Sequence, residues 1–245
     1  MNLKGKVALI TGGARMGEAI ATRLARHGCH IAVSYRASKR PAQRVVESVM
    51  PLHVQGATFQ ADLSREGDHA RLIKAVVNTF GRLDLVINMA SRYAKTPLAK
   101  LNAKEWGFQL DADLRSGYLL ALAARSELAK HGSGRIVLIS DWIAASGRPR
   151  YKDYLPYYVA KRGVIGLIEG LALELAPKIL VNAIAPGPTL PPPGMSKREI
   201  RETAKNTPLQ RWGGADEIAK AVEFLGTSDY VTGETIRVDG GRHLY

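Results

Sequence analysis

Short apolar runs alternate with longer segments of helical pattern through most of this 245-residue chain. The runs lie at residues 6–11, 30–35, 57–62, 83–88, 135–140, 179–185 and 235–240. Most are β-branched and apolar on both faces, as in strands buried inside a parallel sheet. Segments of helix length lie between them, including 64–80, 103–130 and 154–176. Repeated strand–helix units predict an α/β fold with one doubly wound, seven-stranded parallel sheet and helices on both faces.

The chain contains no serine- and glycine-rich linker and no internal repeat, so we predict a single domain over residues 1–245. One irregular stretch stands out, PGPTLPPPGMSKRE at 186–199, where three consecutive prolines stiffen the backbone and remove amide donors. Long connections near strand ends in α/β folds are often functional. We therefore favour a substrate loop over residues 187–207, with a plain surface loop as the alternative.

The formal net charge of +13 raises the possibility of nucleic-acid binding. The basic residues are spread along the chain, however, with no run of five and no zinc-finger pattern. We therefore predict no nucleic-acid partner and no metal site, and a basic surface that attracts anionic small molecules such as a phosphorylated cofactor. Cys29 is the single cysteine, so no internal disulfide is possible, which fits a reducing cytosol. Because no stretch approaches the roughly 18 apolar residues of a membrane span, we predict a cytoplasmic protein with no membrane partner.

A glycine-containing turn follows the first predicted strand, in TGGARMGEAIA at residues 11–21. Glycines at such a turn let the backbone approach a pyrophosphate, which binds at the N-terminus of the following helix. The position between a strand and a helix therefore predicts a dinucleotide site that includes Gly12, Arg15, Met16 and Gly17. Arg15 is the candidate for a second phosphate clamp.

The second predicted strand ends in VSYRAS, where a site for NAD would place an acid to bind the ribose 2′-hydroxyl. Here the side chains are an arginine and hydroxyls, namely Tyr35, Arg36 and Ser38. A guanidinium offers paired donors that match a phosphate. The sequence therefore favours NADPH over NADH, with a solvated Arg36 as the alternative.

Further cofactor contacts are predicted where the third and fourth strands end. Asp62, in ADLS, is placed to accept from the adenine amino group, to cap the following helix, or both. The small residues of VINMAS, at 86–91, allow the backbone to approach a ribose or nicotinamide. We add Leu63, Asn88 and Ala90 to the predicted cofactor site.

Four tyrosines lie within residues 151–158, and only Tyr157 has a lysine four residues later, Lys161. That spacing brings two helical side chains onto one face. A cation near a phenol favours its ionised form, so this pair is typical of acid–base chemistry. The other tyrosines are predicted to form an oligomer contact or to line the mouth of a substrate site.

Together, the motifs TGGARMG, ADL, INMAS, YYVAK, VNAIAPGPT and PLQRWGGADEIAKAVEFL resemble those of the short-chain dehydrogenase/reductases over nearly the whole chain. The resemblance implies a single-domain Rossmann fold, a nicotinamide cofactor and usually a homotetramer. It implies that Tyr157 is the proton donor, and that Lys161 holds the nicotinamide ribose and lowers the tyrosine pKa. It also places four residues beside the nicotinamide, namely Asn182, Pro186, Gly187 and Thr189.

Within that family, VSYR, MASRYAKTPL, DGGRHL and Asp141 resemble pteridine reductases and dihydromonapterin reductases. This narrower resemblance implies that Tyr93 stacks on a pterin, and that Asp141 replaces the serine of the general family. Ser140 is the rival for that position. Because neighbours on a strand face opposite sides, only one of the two can line the site, and we favour Asp141.

The sequence also departs from the family pattern. The glycine turn is one residue short, Asp113 stands where an asparagine usually orders the proton relay, and Met89 replaces another asparagine. The segment from 141 to 157 is three residues longer than usual, and Arg148, Arg150 and Lys152 make it basic. We retain Asp113 as a candidate catalytic residue with altered protonation.

These observations favour an NADPH-dependent reductase that acts on a pterin-like C=N bond. A buried aspartic acid with a raised pKa could deliver a proton to a ring nitrogen, whereas an ionised aspartate would repel a carbonyl oxygen that becomes negative. One alternative is a carbonyl reductase of the 3-oxoacyl-carrier-protein reductase type, whose acidic carrier the basic mouth would suit. Another is an NADPH-binding regulator with little turnover.

Overall fold

The computed structural model describes residues 1–12 and 16–244. Seven strands form one sheet in the order β3-β2-β1-β4-β5-β6-β7, and every pair of neighbours is parallel. The strands are β1 (Val7–Thr11), β2 (His30–Tyr35), β3 (Gly56–Gln60), β4 (Leu85–Asn88), β5 (Gly134–Ile139), β6 (Ile179–Pro186) and β7 (Thr235–Val238). The seven predicted strands and their parallel pairing are thus confirmed, with boundaries that differ by one or two residues.

Helices follow the strands along the described chain. They are α1 (Gly17–Arg26), α2 (Lys39–Val49), α3 (Glu66–Phe80), α4 (Ala103–Leu110), α5 (Ser116–Ala129), α6 (Trp142–Ser146), α7 (Leu155–Leu175), α8 (Lys197–Lys205) and α9 (Ala215–Thr227). A π-helical turn, Asp111–Arg115, joins α4 to α5, so the predicted helical segment 103–130 is continuous in the chain but not uniform in its winding. Within the described ranges, no helix has both the length and the apolar character needed to cross a lipid bilayer.

The alternation of side chains along β1 shows how the sheet is covered. Val7 and Leu9 join a core that includes residues of α3, α5 and α7, whereas Ala8 and Ile10 join a second core with α1, α2 and α9. Both sets are fully buried. Burial on both faces explains why the strand sequences are apolar at nearly every position rather than alternating.

The strand order reverses between β1 and β4, which lie side by side at the centre of the sheet. At such a switch point the connections leave toward opposite faces, and a crevice opens beyond the carboxyl ends of the strands. Thr11 and Asn88 are paired at those ends, and the hydroxyl of Thr11 donates to Oδ1 of Asn88 at 2.6 Å. The predicted glycine turn and the VINMAS segment therefore meet at the same edge of the sheet.

Candidate active site

A cleft of about 450 Å³ lies beyond the carboxyl ends of β1, β2 and β4. This volume falls in the range of sites for small organic ligands and cofactors. The predicted cofactor residues that line the cleft are Gly12, Tyr35, Arg36, Ser38, Asp62, Leu63 and Ala90. Arg15 lies outside the described residues.

Gly12 is required by the close approach of two backbones. Its φ of +68° lies in the left-handed region, and a Cβ added there would be 2.7 Å from the Cα of Ala90. A side chain at this position would collide with backbone that cannot give way. The contact brings Gly12 directly against Ala90 in the wall of the cleft, and both residues line it.

Arg36 lines the outer end of the cleft and also a second, smaller cleft of about 290 Å³. Arg65 and Arg71 line that second cleft as well. Asp62 faces the same region, where burial works to raise the pKa of its carboxyl. Hydrogen bonds from Ser64 and the charges of Arg36 and Arg65 outweigh this, so the pKa of Asp62 is lowered. The outer end therefore offers three guanidinium groups and two carboxylates, Asp62 and Asp68, of which Asp68 is paired with Arg71 at 2.8 Å.

At the other end of the cleft region, the start of α1 meets the loop after β6. The Thr189 hydroxyl is 4.0 Å from the sulfur of Met16, and Gly17 begins α1. Gly187, just after Pro186, is packed so closely that an added Cβ would lie 2.6 Å from the Cα of Asp239. The sequence-predicted residues of this end are thus brought together by close packing.

The side chains of two asparagines expected near the cofactor make hydrogen bonds within the protein. The Asn88 side chain is 5% exposed at the residue level and accepts from Thr11. Asn182 is buried, and its amide donates to the Val231 carbonyl at 2.8 Å and accepts from the Glu234 amide at 3.0 Å. The Asn182 side chain therefore fixes the connection between β6 and β7, and its place beside the nicotinamide stays a prediction.

The end of β5 presents a carboxyl group to the predicted proton donor. The hydroxyl of Tyr157 donates to Oδ2 of Asp141 at 3.0 Å, while Oδ1 of Asp141 accepts from the Ile143 amide and caps α6. Ser140 faces the other way and donates to the backbone carbonyl of Lys161 at 2.9 Å. The structure therefore places Asp141, and not Ser140, next to the phenol.

Lys161 is held in the interior by one ion pair and one hydrogen bond. Its Nζ is 3.0 Å from Oδ1 of Asp113 and donates to the Ile139 carbonyl at 2.9 Å. Asp113 lies on the π-helical turn, and its Oδ2 accepts a short hydrogen bond from Nε2 of Gln109. Sequence reasoning missed Gln109, although its position four residues before Asp113 on a helix was a usable signal.

The pKa directions in this cluster differ from those implied by the family resemblance. Burial raises the pKa of Asp141, although the Ile143 amide, Tyr157 and Lys161 act to lower it. Burial also raises the pKa of Tyr157 well above its ordinary value, and the carboxylates of Asp141 and Asp113 raise it further. Burial and two carboxyl groups thus determine the direction for Tyr157 in this arrangement, and a lowering of its pKa by Lys161 stays a prediction.

Aromatic side chains line the mouth above Tyr157. The rings of Tyr93 and Tyr154 are stacked with centroids 4.9 Å apart, and Tyr93 meets Tyr157 edge-on at 5.1 Å. Tyr151 extends this row toward Trp142, with centroids 6.5 Å apart. The guanidinium groups of Arg150 and Arg242 lie 5.5 Å and 5.8 Å from the centre of the Trp142 ring. Sequence reasoning missed Trp142 as part of this mouth. The mouth is thus aromatic inside and basic at its rim.

The described residues fit a phosphorylated dinucleotide: Gly12 lies against the backbone of Ala90, arginines line the outer end, and a Tyr/Lys pair lies at the inner end. Comparisons with known proteins agree. The family model described as enoyl-(acyl carrier protein) reductase matches residues 13–243. The 3-oxoacyl-[acyl-carrier-protein] reductase FabG of Staphylococcus aureus is 34% identical, with 98% of each chain covered. The enzyme of the same name from Vibrio cholerae is 31% identical, with both chains fully covered.

Solved structures show the same likeness in three dimensions. A short-chain dehydrogenase/reductase from Serratia marcescens superposes with a TM-score of 0.90 at 28% identity, covering 99% of this chain and 100% of that one. A short-chain dehydrogenase from Burkholderia cenocepacia in complex with NADP gives 0.90 at 31% identity, with 99% of each chain covered. Fold and site thus define an NAD(P)-dependent oxidoreductase. The chain belongs to the short-chain dehydrogenase/reductase family.

Proposed function

We propose that this protein is an NADPH-dependent reductase in which Tyr157 supplies the proton that accompanies the hydride. One observation carries the proposal: the Tyr157 hydroxyl donates a hydrogen bond to a carboxyl group, Asp141, at 3.0 Å, and Nζ of the buried Lys161 lies 5.6 Å from the centre of the Tyr157 ring. A phenol in this setting has the geometry and the protonation state of a general acid.

The cofactor is NADPH. Arg36 stands at the end of β2, where an acid would be needed for NADH, and Arg65 and Arg71 share the adjoining cleft. The Burkholderia cenocepacia neighbour is in complex with NADP, and a blue fluorescent protein from a metagenomic library, with a TM-score of 0.89, is in complex with NADPH. When bound, the cofactor supplies the hydride.

The chain's own residues bind, orient and protonate. Tyr157 donates its hydroxyl proton to the atom that gains negative charge, and Lys161 holds the inner end of the site in place through Asp113 and Ile139. Tyr93 and Tyr154 both meet the ring of Tyr157 edge-on, so they line the approach to the phenol.

For the substrate, we favour a 3-oxoacyl thioester, because the relatives at 31% and 34% identity are named 3-oxoacyl-[acyl-carrier-protein] reductases. The exposed Arg148, Arg150 and Lys152 near the mouth suit an acidic carrier. Asp141 is compatible with a carbonyl when it holds its proton, since a neutral carboxyl group donates a hydrogen bond to an oxyanion. Its raised pKa favours that protonated form.

A pterin-like substrate is the second candidate, and the pairing of Asp141 with Tyr157 favours it. Two neighbouring acids can protonate a ring nitrogen as hydride reaches the adjacent carbon. Tyr93, which is half exposed and meets Tyr157 edge-on, also offers an aromatic face on which a flat ring can stack. Reduction of a cyclic C=N bond would use both features.

A substrate panel with NADPH in excess separates the candidates. Oxidation of NADPH is followed with a 3-oxobutyryl thioester and with dihydrobiopterin, for the native protein, Tyr157→Phe and Asp141→Ser. Tyr157→Phe is expected to lower turnover roughly 100-fold or more while NADPH binding stays nearly intact. Preferential loss of dihydrobiopterin reduction in Asp141→Ser supports the second candidate.

NADPH binding without turnover on either compound, unaffected by Tyr157→Phe, contradicts the proposal and favours a cofactor-binding regulator. Equal loss of binding and turnover in Tyr157→Phe contradicts the role of proton donor.

The proposal also includes one reductase domain over residues 1–245, a substrate loop at 187–207, cytoplasmic residence and assembly into a homotetramer. Exposed apolar side chains on one face of α5, Tyr118 and Leu122, favour assembly.

A further inference from the structure

The charge of Lys161 is cancelled within the protein. Its side chain is 2% exposed, that of Asp113 is fully buried, and their charged atoms are 3.0 Å apart. Opposite charges this close act on more distant groups as a dipole, so the positive field that reaches Tyr157 is much weaker than that of a lone ammonium. The ring centre of Tyr157 is 5.6 Å from Nζ of Lys161, farther than the ion-pair partner.

The surroundings of Asp113 fix its side chain against Lys161. Gln109 donates a hydrogen bond to Oδ2, and the Arg92 amide lies 3.4 Å from the same atom. The turn that carries Asp113 is also packed against α7, because a Cβ added at Gly163 would lie 2.7 Å from Cδ2 of Leu114. Asp113 is thus held in place with Oδ1 directed at the Lys161 ammonium.

The groups that face Tyr157 come from several elements. Asp141 comes from the start of α6, Asp113 from the π-helical turn, Tyr93 from the loop after β4, and Tyr154 and Lys161 from α7. One of these is a cation and two are carboxyl groups. Because Lys161 is already paired, it stabilises the ionised form of Tyr157 only weakly, and the phenol keeps its proton in the described site.

We propose that Asp113 is a positioning residue that cancels the charge of Lys161, so that Tyr157 stays protonated through neutral and mildly alkaline pH. This inference rests on the proposed reductase function. In reduction, hydride forms a new bond to the carbonyl carbon, the electron pair of the C=O π bond goes to oxygen, and that oxygen takes the proton of Tyr157. Oxidation of the alcohol requires the reverse, a tyrosinate that accepts the hydroxyl proton, and Asp113 makes this form scarce.

An enzyme does not alter the overall equilibrium, so the effect of Asp113 belongs to the pH dependence of each direction. The variant Asp113→Asn restores an uncompensated ammonium beside the phenol. Removal of one nearby negative charge changes the protonation equilibrium of Tyr157 by roughly tenfold. The alkaline fall in reduction is therefore expected at lower pH in Asp113→Asn, and oxidation of a 3-hydroxybutyryl thioester with NADP⁺ at mildly alkaline pH rises about tenfold.

A measurement that needs no turnover separates this inference from the proposed function. Tyrosinate formation is followed by ultraviolet difference titration in four proteins: native, Tyr157→Phe, Asp113→Asn and the double variant. Subtracting each Tyr157→Phe curve isolates the phenol of residue 157. We expect it to titrate at lower pH in Asp113→Asn than in the native chain. If no panel substrate turns over, the reductase assignment fails, yet this titration still decides the role of Asp113.

Two further variants complete the test. Asp111→Asn is the matched control, since Asp111 lies on the same turn but its side chain is 45% exposed, and its titration should coincide with the native curve. Gln109→Met keeps Asp113 but removes a donor to Oδ2, so it should shift Tyr157 in the same direction by less, even if Asp113→Asn does not fold. A Tyr157 titration that is unchanged in both Asp113→Asn and Gln109→Met overturns the proposal, as does an equal shift in Asp111→Asn.

Discussion

At the scale of single residues, Arg36 shows how one side chain sets cofactor choice. It lines both the main cleft and the adjoining basic cleft at the end of β2. A guanidinium–phosphate contact is charge-assisted and directional, whereas a carboxylate at the same place would repel a 2′-phosphate and bind a ribose hydroxyl. The contact is available to NADPH and not to NADH, so it contributes to the difference in affinity.

Arg36→Asp is expected to lower the ratio of NADPH affinity to NADH affinity by about tenfold or more. Titration of each cofactor by its fluorescence measures the ratio without any substrate. Arg40→Asp makes the same change of charge on an exposed residue of α2 that does not line either cleft, and should leave the ratio nearly unchanged. An unchanged ratio in Arg36→Asp would show that this arginine is merely solvated.

At the scale of elements, α8 depends on its first turn more than on packing. Ser196 and Glu199 form a capping box in which the Ser196 hydroxyl accepts from the Glu199 amide and the Glu199 carboxylate accepts from the Ser196 amide. None of the described α8 residues is buried. A helix without a buried face has little tertiary support, so its cap decides how often it opens.

Ser196→Ala is expected to speed hydrogen exchange of the α8 amides by roughly fivefold, with little change in global stability, because the cap contributes to the helix alone. Mass-spectrometric exchange over residues 197–205 measures it. The control is Arg198→Ala, which removes only the exposed pair with Glu202 and should change exchange less. Equal exchange in Ser196→Ala and the native chain would mean that other contacts hold the helix.

At the scale of the whole molecule, Asp141 makes stability depend on pH. Burial raises its pKa in the folded state, so between the ordinary aspartate value near 4 and the raised value the native state holds a proton that the unfolded chain has released. Stability therefore falls as pH rises through this window, and the full cost is present above it. Burial of the Asp141 carboxyl group in the site thus lowers the stability of the fold above this window, and groups with such shifted pKa values are common at catalytic sites.

Asp141→Asn removes this dependence, since an amide does not ionise. As the pH rises above about 4 and until it passes the raised pKa of Asp141, the free energy of unfolding of the variant is expected to rise relative to the native chain by up to about 1.4 kcal/mol for each pH unit. Urea unfolding followed by circular dichroism at several pH values measures it. Parallel pH profiles for the two proteins would show that Asp141 ionises normally in the fold.

The sequence by itself determined the architecture. A strand that is apolar on both faces is stable only where both faces are covered, as inside a parallel sheet with helices on each side. The seven short runs therefore predicted the order of strands and helices closely. It also determined which residue types meet at the cleft. Gly12 and Arg36 each follow a strand, and the carboxyl ends of parallel strands lie at the same edge of the sheet. The Tyr157/Lys161 pair followed from helical spacing, which depends only on local geometry.

Only the tertiary structure decided what surrounds that pair. Ser140 and Asp141 are adjacent in sequence, and the rotation of the strand end, which depends on packing, determines which one faces the phenol. The ion pair between Asp113 and Lys161 joins residues 48 positions apart and rests on a π-helical turn that no spacing predicted. The pKa directions follow from burial and from these long-range contacts, because electrostatic energies depend on distances and on desolvation that exist only in the folded chain.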